Sequence, residues 1–200
     1  MIILSSPSGA GKTTLVNLLS KLDNFEISIS HTTRKPRPNE TPNKDYFFVS
    51  EDEFKRLIKN QEFLEYAKVF DNFYGSTRTP VINNLDNGKN VLFDIDWQGT
   101  QQLGEHLEAD LVRVFILPPS TRELEHRLKK RAQDPAHVVD KRMAKAMYEI
   151  SHYPEYDYII INSDLSESVK SVRSILHAER LKRGRQIGLI HFVKQLRDGR

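Results

Sequence analysis

The stretch Ser6-Pro7-Ser8-Gly9-Ala10-Gly11-Lys12-Thr13 follows directly on the apolar run Ile2-Ile3-Leu4 and leads into Leu15, Leu18, Leu19 and Leu22 at helical spacing. Strand, glycine-containing turn and helix, in that order, are the context in which a Gly-Lys-Thr turn becomes a phosphate-binding loop. The pattern predicts that the backbone N–H groups from Gly9 to Thr13 face one concavity at the positive end of the helix. Lys12 then reaches the β- and γ-phosphates of a nucleoside triphosphate, and the Thr13 hydroxyl ligates Mg²⁺. Ser6 stands where the full pattern has glycine. That glycine serves backbone geometry, so a small residue suffices if its φ stays negative.

Around this loop the chain reads as an α/β protein of the P-loop NTPase type. Apolar runs at Ile2–Leu4, Val91–Ile95, Val112–Leu117 and Tyr158–Ile161 alternate with helical patterns, which predicts a parallel sheet flanked by helices. Ser50 with Glu53 and Ser120 with Glu123 form capping boxes that open helices near 51–60 and 121–131. Gly88 ends a helix begun near Thr79, and Val139, Met143, Ala146, Met147 and Ile150 share one helical stripe. Residues 30–90 differ: the β-rich pieces Asp45–Val49 and Phe63–Phe70 surround one helix, and Lys35–Lys44 holds three prolines. They are expected to form a small β-rich lobe. Residues 131–137, with Asp134-Pro135 at their centre, break two helices and read as a lid.

Composition excludes several classes. The apolar runs are too short to span a bilayer, and Met1 opens straight into the first strand without a basic leader. The absence of cysteine removes disulfides and Cys-ligated zinc and agrees with a cytoplasmic location. The net charge of +3 is unevenly spread: residues 177–200 carry seven Lys/Arg against two Asp/Glu. The basic balance therefore belongs largely to the tail and is a poor argument for nucleic-acid binding.

A second constellation is Ser30-His31-Thr32-Thr33-Arg34-Lys35-Pro36-Arg37-Pro38, three cations within four residues on a proline-stiffened segment. Two pre-ordered guanidiniums, Arg34 and Arg37, suit bidentate binding of a phosphate, and Tyr46 and Tyr74 could add neutral O–H donors. Asp94 and Asp96 close an apolar strand, where open α/β sheets place their ligands. Either could orient a Mg²⁺-bound water or touch an acceptor base; Thr13 and Asp94 are the candidate metal ligands. Trp97, the single tryptophan, reads as core packing.

With these stretches in place the chain resembles the guanylate kinase family. The resemblance rests on Ser8-Gly9-Ala10-Gly11-Lys12-Thr13, Ser30–Arg37, Asp45-Tyr46, Phe63-Leu64-Glu65-Tyr66-Ala67, Tyr74-Gly75-Ser76, Asp94-Ile95-Asp96-Trp97-Gln98-Gly99 and Ile116-Leu117-Pro118-Pro119-Ser120, in family order. It implies phosphorylation of GMP by ATP with Mg²⁺, a lobe over 30–90, a lid over 122–145, and a tail over 185–200 outside the resemblance. By matching position, Ser6, Pro7, Ser8, Gly9, Ala10, Gly11, Lys12, Thr13 and Asn162 would contact ATP. Arg34, Arg37, Tyr46 and Tyr74 would hold the GMP phosphate, and Ser30, Glu65, Ser76 and Asp96 would surround the guanine. Lys12, Arg131 and Arg142 would act on the transferring phosphoryl group. Chemistry supports Glu65 independently: guanine presents N1–H and N2–H₂ side by side and a carboxylate accepts both, whereas adenine has an acceptor at N1.

The chain departs from the family pattern at Asn39, Asn43, Lys130 and Ala132, where glycines are common, and at Ser163. Arg142, at the edge of its helix's apolar stripe, is expected to lean inward, with an ion pair to Asp140 or Glu149 as the alternative. Ile187, Leu189, Ile190, Phe192, Val193 and Leu196 make the tail apolar enough to pack on the body or on a second subunit. Neither a membrane nor a nucleic acid is expected as a partner.

Overall fold

The computed structural model describes residues 1–21, 25–38, 40–69, 71–132 and 136–199, without the side chains of 131, 132 and 136–138. In chain order the elements are β1 (Ile2–Ser5), α1 (Lys12–Leu19), β2 (Phe25–Ser28), β3 (His31–Thr32), β4 (Phe47–Phe48), α2 (Glu51–Lys59), β5 (Phe63–Val69), β6 (Asn72–Thr77) and α3 (Arg78–Asp86). They continue with β7 (Asn90–Asp94), α4 (Trp97–Leu107), β8 (Val112–Leu117), α5 (Thr121–Ala132), α6 (Ala136–Ile150), β9 (Tyr158–Ile161), α7 (Leu165–Leu181) and α8 (Leu189–Arg197).

The main sheet has five strands in the order β2-β7-β1-β8-β9, all parallel. β1 is central, and its alternate residues serve opposite layers. Ile2 and Leu4 pack with Leu15 and Leu19 of α1 and Val172 and Leu176 of α7. Ile3 packs with Val81 of α3 and Leu103 of α4. Burial on both faces is why these strands are continuous apolar runs. The loop after β1 therefore opens at the C-terminal edge of the sheet.

The second sheet runs β4-β3-β6-β5. α2 covers it with Phe54, which stacks on Phe63 at 4.6 Å and on Phe73 at 5.4 Å. Val81 of α3 packs in the core of the main sheet, as does Leu64 of β5. Both capping boxes form: the Ser50 and Ser120 hydroxyls accept from the N–H groups of Glu53 and Glu123, each at 3.1 Å. Gly88 follows α3 at φ 71°, a left-handed stop open to glycine. Asn43, at a position where a glycine was expected, takes φ 64°, which asparagine tolerates better than most residues; Asn39 lies outside the described residues.

α5 and α6 pack through Leu124, Leu128 and Ala146, with Met143 and Ile150 alongside. Met147, expected on that stripe, is instead exposed. Trp97 is not in the core. It lies flat on His152 with ring centroids 3.8 Å apart and meets Tyr148 edge-on, so it joins α4 to the end of α6. Of the two expected placements of the tail, on the body or on a second subunit, the first is not seen among the described residues: Ile187, Ile190, Phe192, Val193 and Leu196 are all exposed. Arg185 ties the segment down instead, donating to the Leu111 carbonyl at 2.8 Å and pairing with Glu179 at 3.2 Å.

Candidate active site

The turn between β1 and α1 is held open by two glycines in the left-handed region, Gly9 at φ 91° and Gly11 at φ 97°. A Cβ on Gly9 would stand 3.0 Å from Leu124, so α5 packs directly on the loop. Ser6 is not among the positive-φ residues, and serine fits there. Ser6, Pro7, Ser8, Gly9, Gly11, Lys12, Thr13 and Thr14 line one end of a cleft of about 600 Å³.

Ala10, expected to contact a nucleotide, turns away: it is fully buried, and its N–H donates to the Pro7 carbonyl at 3.2 Å. Its own carbonyl accepts from the Asn162 amide at 2.8 Å and from Arg127 at 3.3 Å. Asn162 is likewise buried, and its Oδ1 accepts from Ser168 at 2.9 Å. Its geometry on the Ala10 carbonyl is that of a brace beneath the loop.

Lys12 Nζ lies 2.7 Å from Asp94 Oδ1 and 3.0 Å from the Ile95 carbonyl. Burial works against its charge, but Asp94 outweighs burial and raises the Lys12 pKa. A cation is thus fixed at the mouth of the phosphate loop. Asp94 and Asp96 both line the cleft, and Asp96 also caps α4, its Oδ1 accepting from the N–H groups of Gln98 at 3.0 Å and Gly99 at 3.2 Å. The two aspartates that sequence alone left interchangeable therefore do different things: one faces the loop lysine, the other sets the start of a helix beside the lobe.

The lobe forms the other end of the cleft with Ser30, Arg37, Tyr46, Glu65, Ala67, Val69 and Tyr74. Arg34 is less open than expected. Its guanidinium donates to Glu40 at 2.8 Å, to the Lys35 carbonyl at 2.7 Å and to the Tyr74 hydroxyl at 3.2 Å. Glu40 also accepts from the Arg37 N–H at 2.8 Å and lies 3.6 Å from the Arg37 guanidinium. Burial favours neutral Glu40, yet the two arginines outweigh it and hold its pKa below the usual carboxylate range. One carboxylate thus organises both cations. The Tyr46 hydroxyl is pushed up to about 12, chiefly by burial and then by Asp94, so it stays protonated as a donor.

Glu65 is 3% exposed, and its Oε1 has no hydrogen-bond partner among the described residues. Burial raises its pKa to about 7, against hydrogen bonds from Ser76 and with a smaller push from Asp96. Ser76 is fully buried and lies 3.3 Å, Oγ to Oγ, from Ser30. A buried acceptor without a donor, facing a cleft, is the mark of a group whose partner is a ligand.

On the other side of the phosphate loop stand α5 and α6. α5 ends at Ala132 and α6 starts at Ala136; the expected helix break at Asp134-Pro135 and the Arg131 side chain lie outside the described residues. Arg142 is half-buried on α6. Glu149, proposed above only as an ion-pair partner, accepts from the Ser8 N–H at 3.0 Å. Arg127 and Glu149 both line the cleft. Sequence reasoning missed the roles of Glu40 and Glu149. A carboxylate three residues after Arg37 was a readable signal for the first; nothing local marks the second, which is 141 residues from its partner.

Comparison with known proteins agrees with this architecture. The guanylate kinase family model matches residues 1–179. The guanylate kinase of Paramagnetospirillum magneticum is 58% identical over 200 residues, covering 100% of this chain and 94% of that protein. That of Rhodospirillum rubrum is 58% identical over 198 residues, 98% of this chain and 91% of the relative. The crystal structure of guanylate kinase from Anaplasma phagocytophilum superposes with a TM-score of 0.83 at 39% identity, covering 97% of this chain and 93% of the other. With a phosphate loop, a cleft-lining carboxylate lobe and full-length similarity in agreement, the chain belongs to the guanylate kinase family.

Proposed function

We propose that the chain transfers the γ-phosphoryl group of ATP to GMP, yielding ADP and GDP. The observation that carries the reading is Glu65, whose buried Oε1 lacks a donor among the described residues at the end of the cleft opposite the phosphate loop. Guanine supplies two adjacent donors, N1–H and N2–H₂; adenine would oppose the carboxylate with a lone pair at N1. Ser30, Ser76 and Asp96 complete the guanine end. Arg34, Arg37, Tyr46 and Tyr74 hold the GMP phosphate, which replaces Glu40 as the counter-charge of at least one arginine.

Lys12 and the loop amides hold the triphosphate. Thr13 and Asp94 line the cleft with hard oxygen donors, a set that fits Mg²⁺ shared with substrate phosphates. When bound there, Mg²⁺ would neutralise charge on the β- and γ-oxygens. Arg142, and Arg131 by family position, bear on the transferring group from the lid over 122–145, whose closure excludes water. No side chain serves as a strong general base, because the attacking atom is already a phosphate oxygen. The test is ADP release measured across GMP, AMP, UMP, dTMP and a ribose phosphate. GMP is expected to support turnover far above the rest, and a preference for the ribose phosphate overturns the reading.

A further inference from the structure

α4 contains two glycines, Gly99 and Gly104. Glycine inside a helix costs about 0.8–1 kcal/mol relative to alanine, so each calls for a reason. Neither has a positive φ, which removes the usual conformational one. Their surroundings differ sharply. A Cβ on Gly104 would meet only a guanidinium nitrogen of Arg113, at 3.6 Å, an ordinary contact. A Cβ on Gly99 would run into Glu65 Oε2 at less than any real separation, with Glu65 Cδ at 3.1 Å and Ile95 Cδ1 at 3.2 Å.

Neither backbone can easily retreat. β5, which carries Glu65, is fastened along α4 by Gln102, whose side-chain amide accepts from the Tyr66 N–H at 3.0 Å and donates to the Tyr66 carbonyl at 2.7 Å. The first turn of α4 is pinned by Asp96, which accepts from the Gly99 N–H itself. What would give way is the far end of Glu65. We infer that Gly99 is a positioning residue for base selection: by lacking a side chain it lets the Glu65 carboxylate sit where its free oxygen meets the acceptor base. The inference rests on the reading of Glu65 as the guanine acceptor. It adds a determinant on the main domain, outside the cleft lining, for a choice made by the lobe.

The test is a cycle on the full chain comprising Gly99→Ala, Glu65→Asp and the double variant, with Gly104→Ala and Glu65→Gln as controls. kcat and KM are measured for GMP, AMP and ATP, together with thermal melting. Gly99→Ala is expected to lower kcat/KM for GMP roughly tenfold, mainly through the KM for GMP, with smaller changes for AMP and ATP. Gly104→Ala should leave all three unchanged. Aspartate withdraws the carboxylate by one methylene, so in the Glu65→Asp background the same methyl should change GMP kinetics by no more than about twofold. An undiminished loss in that background, or a Gly99→Ala variant with wild-type selectivity while Glu65→Gln loses it, overturns the inference and leaves the guanine reading standing. A wild-type protein without preference for GMP, indifferent to Glu65→Gln, overturns the guanine reading itself. Should Gly99→Ala alone fail to fold, recovery of a folded double variant supports the clash with Glu65, and failure of the double as well overturns it.

Discussion

The two ends of the cleft are built on opposite principles. At the phosphate loop the backbone does the shaping, and its polar groups are braced from behind: the Ala10 carbonyl is held by Asn162 and Arg127, and Asn162 is held in turn by Ser168. At the lobe, side chains dominate and are not at rest. Arg34 and Arg37 share Glu40, and Glu65 is buried with one oxygen unpaired among the described residues. The first design presents a fixed positive concavity to any triphosphate, since phosphates carry no base identity. The second leaves interactions for the acceptor to complete, and a ligand that fails to complete them leaves buried polar groups unsatisfied. Selectivity belongs where the free protein is least satisfied.

The largest expected effect breaks the donor end. Lys12→Ala removes the one loop cation paired to Asp94 and should lower kcat by at least about a hundredfold, the scale of a lost electrostatic donor. Stopped-flow or steady-state ADP release reads it, and GMP binding should be nearly unchanged.

The next effect concerns stability and comes from the acceptor end. The Glu65 pKa is raised from 4.5 to about 7 in the native state, so between those values the folded chain holds a proton that the unfolded chain has released. Stability contributed by this group is therefore greatest below about pH 4.5 and is lost as pH rises through about 7. Glu65→Gln removes the dependence. At pH 8 the variant should be more stable than the wild type by about 3 kcal/mol, and near pH 4.5 the two should be alike. Urea unfolding at both pH values checks it.

The smallest effect sharpens the account of the arginines. Glu40→Ala frees Arg34 and Arg37 from their shared carboxylate but also from their fixed orientation. A rise in the KM for GMP of about tenfold at little-changed kcat is expected if orientation matters more than competition. A fall in KM would mean that Glu40 acts mainly as a rival of the phosphate.

The same contrast governs how much could be read without coordinates. Strands such as Ile2–Ser5 and Val112–Leu117 are buried on both faces, so their apolar runs mark them plainly. β2, where only Phe25 is buried, and β3, two residues long and held by the Thr32 hydroxyl on the Phe73 carbonyl at 2.9 Å, carry no such mark. The phosphate loop was legible because its geometry is local. The brace of Asn162 on Ala10, the latch of Glu149 on Ser8 and the sharing of Glu40 by two arginines depend on which distant elements meet. In the tail, the apolar residues Ile187, Ile190 and Phe192 pointed to packing on the body or on a second subunit, and within the single chain they are exposed.

The claim that an ionised Glu65 accepts the guanine donors is tested most directly by calorimetric titration of GMP at pH 7, in two buffers of different ionisation enthalpy. With a native pKa of about 7, roughly half of the free protein holds a proton on Glu65 that guanine must displace. Binding to the wild type is predicted to release about half a proton more than binding to Glu65→Gln, in which any contribution from the GMP phosphate remains. Equal proton release by the two proteins would contradict the account.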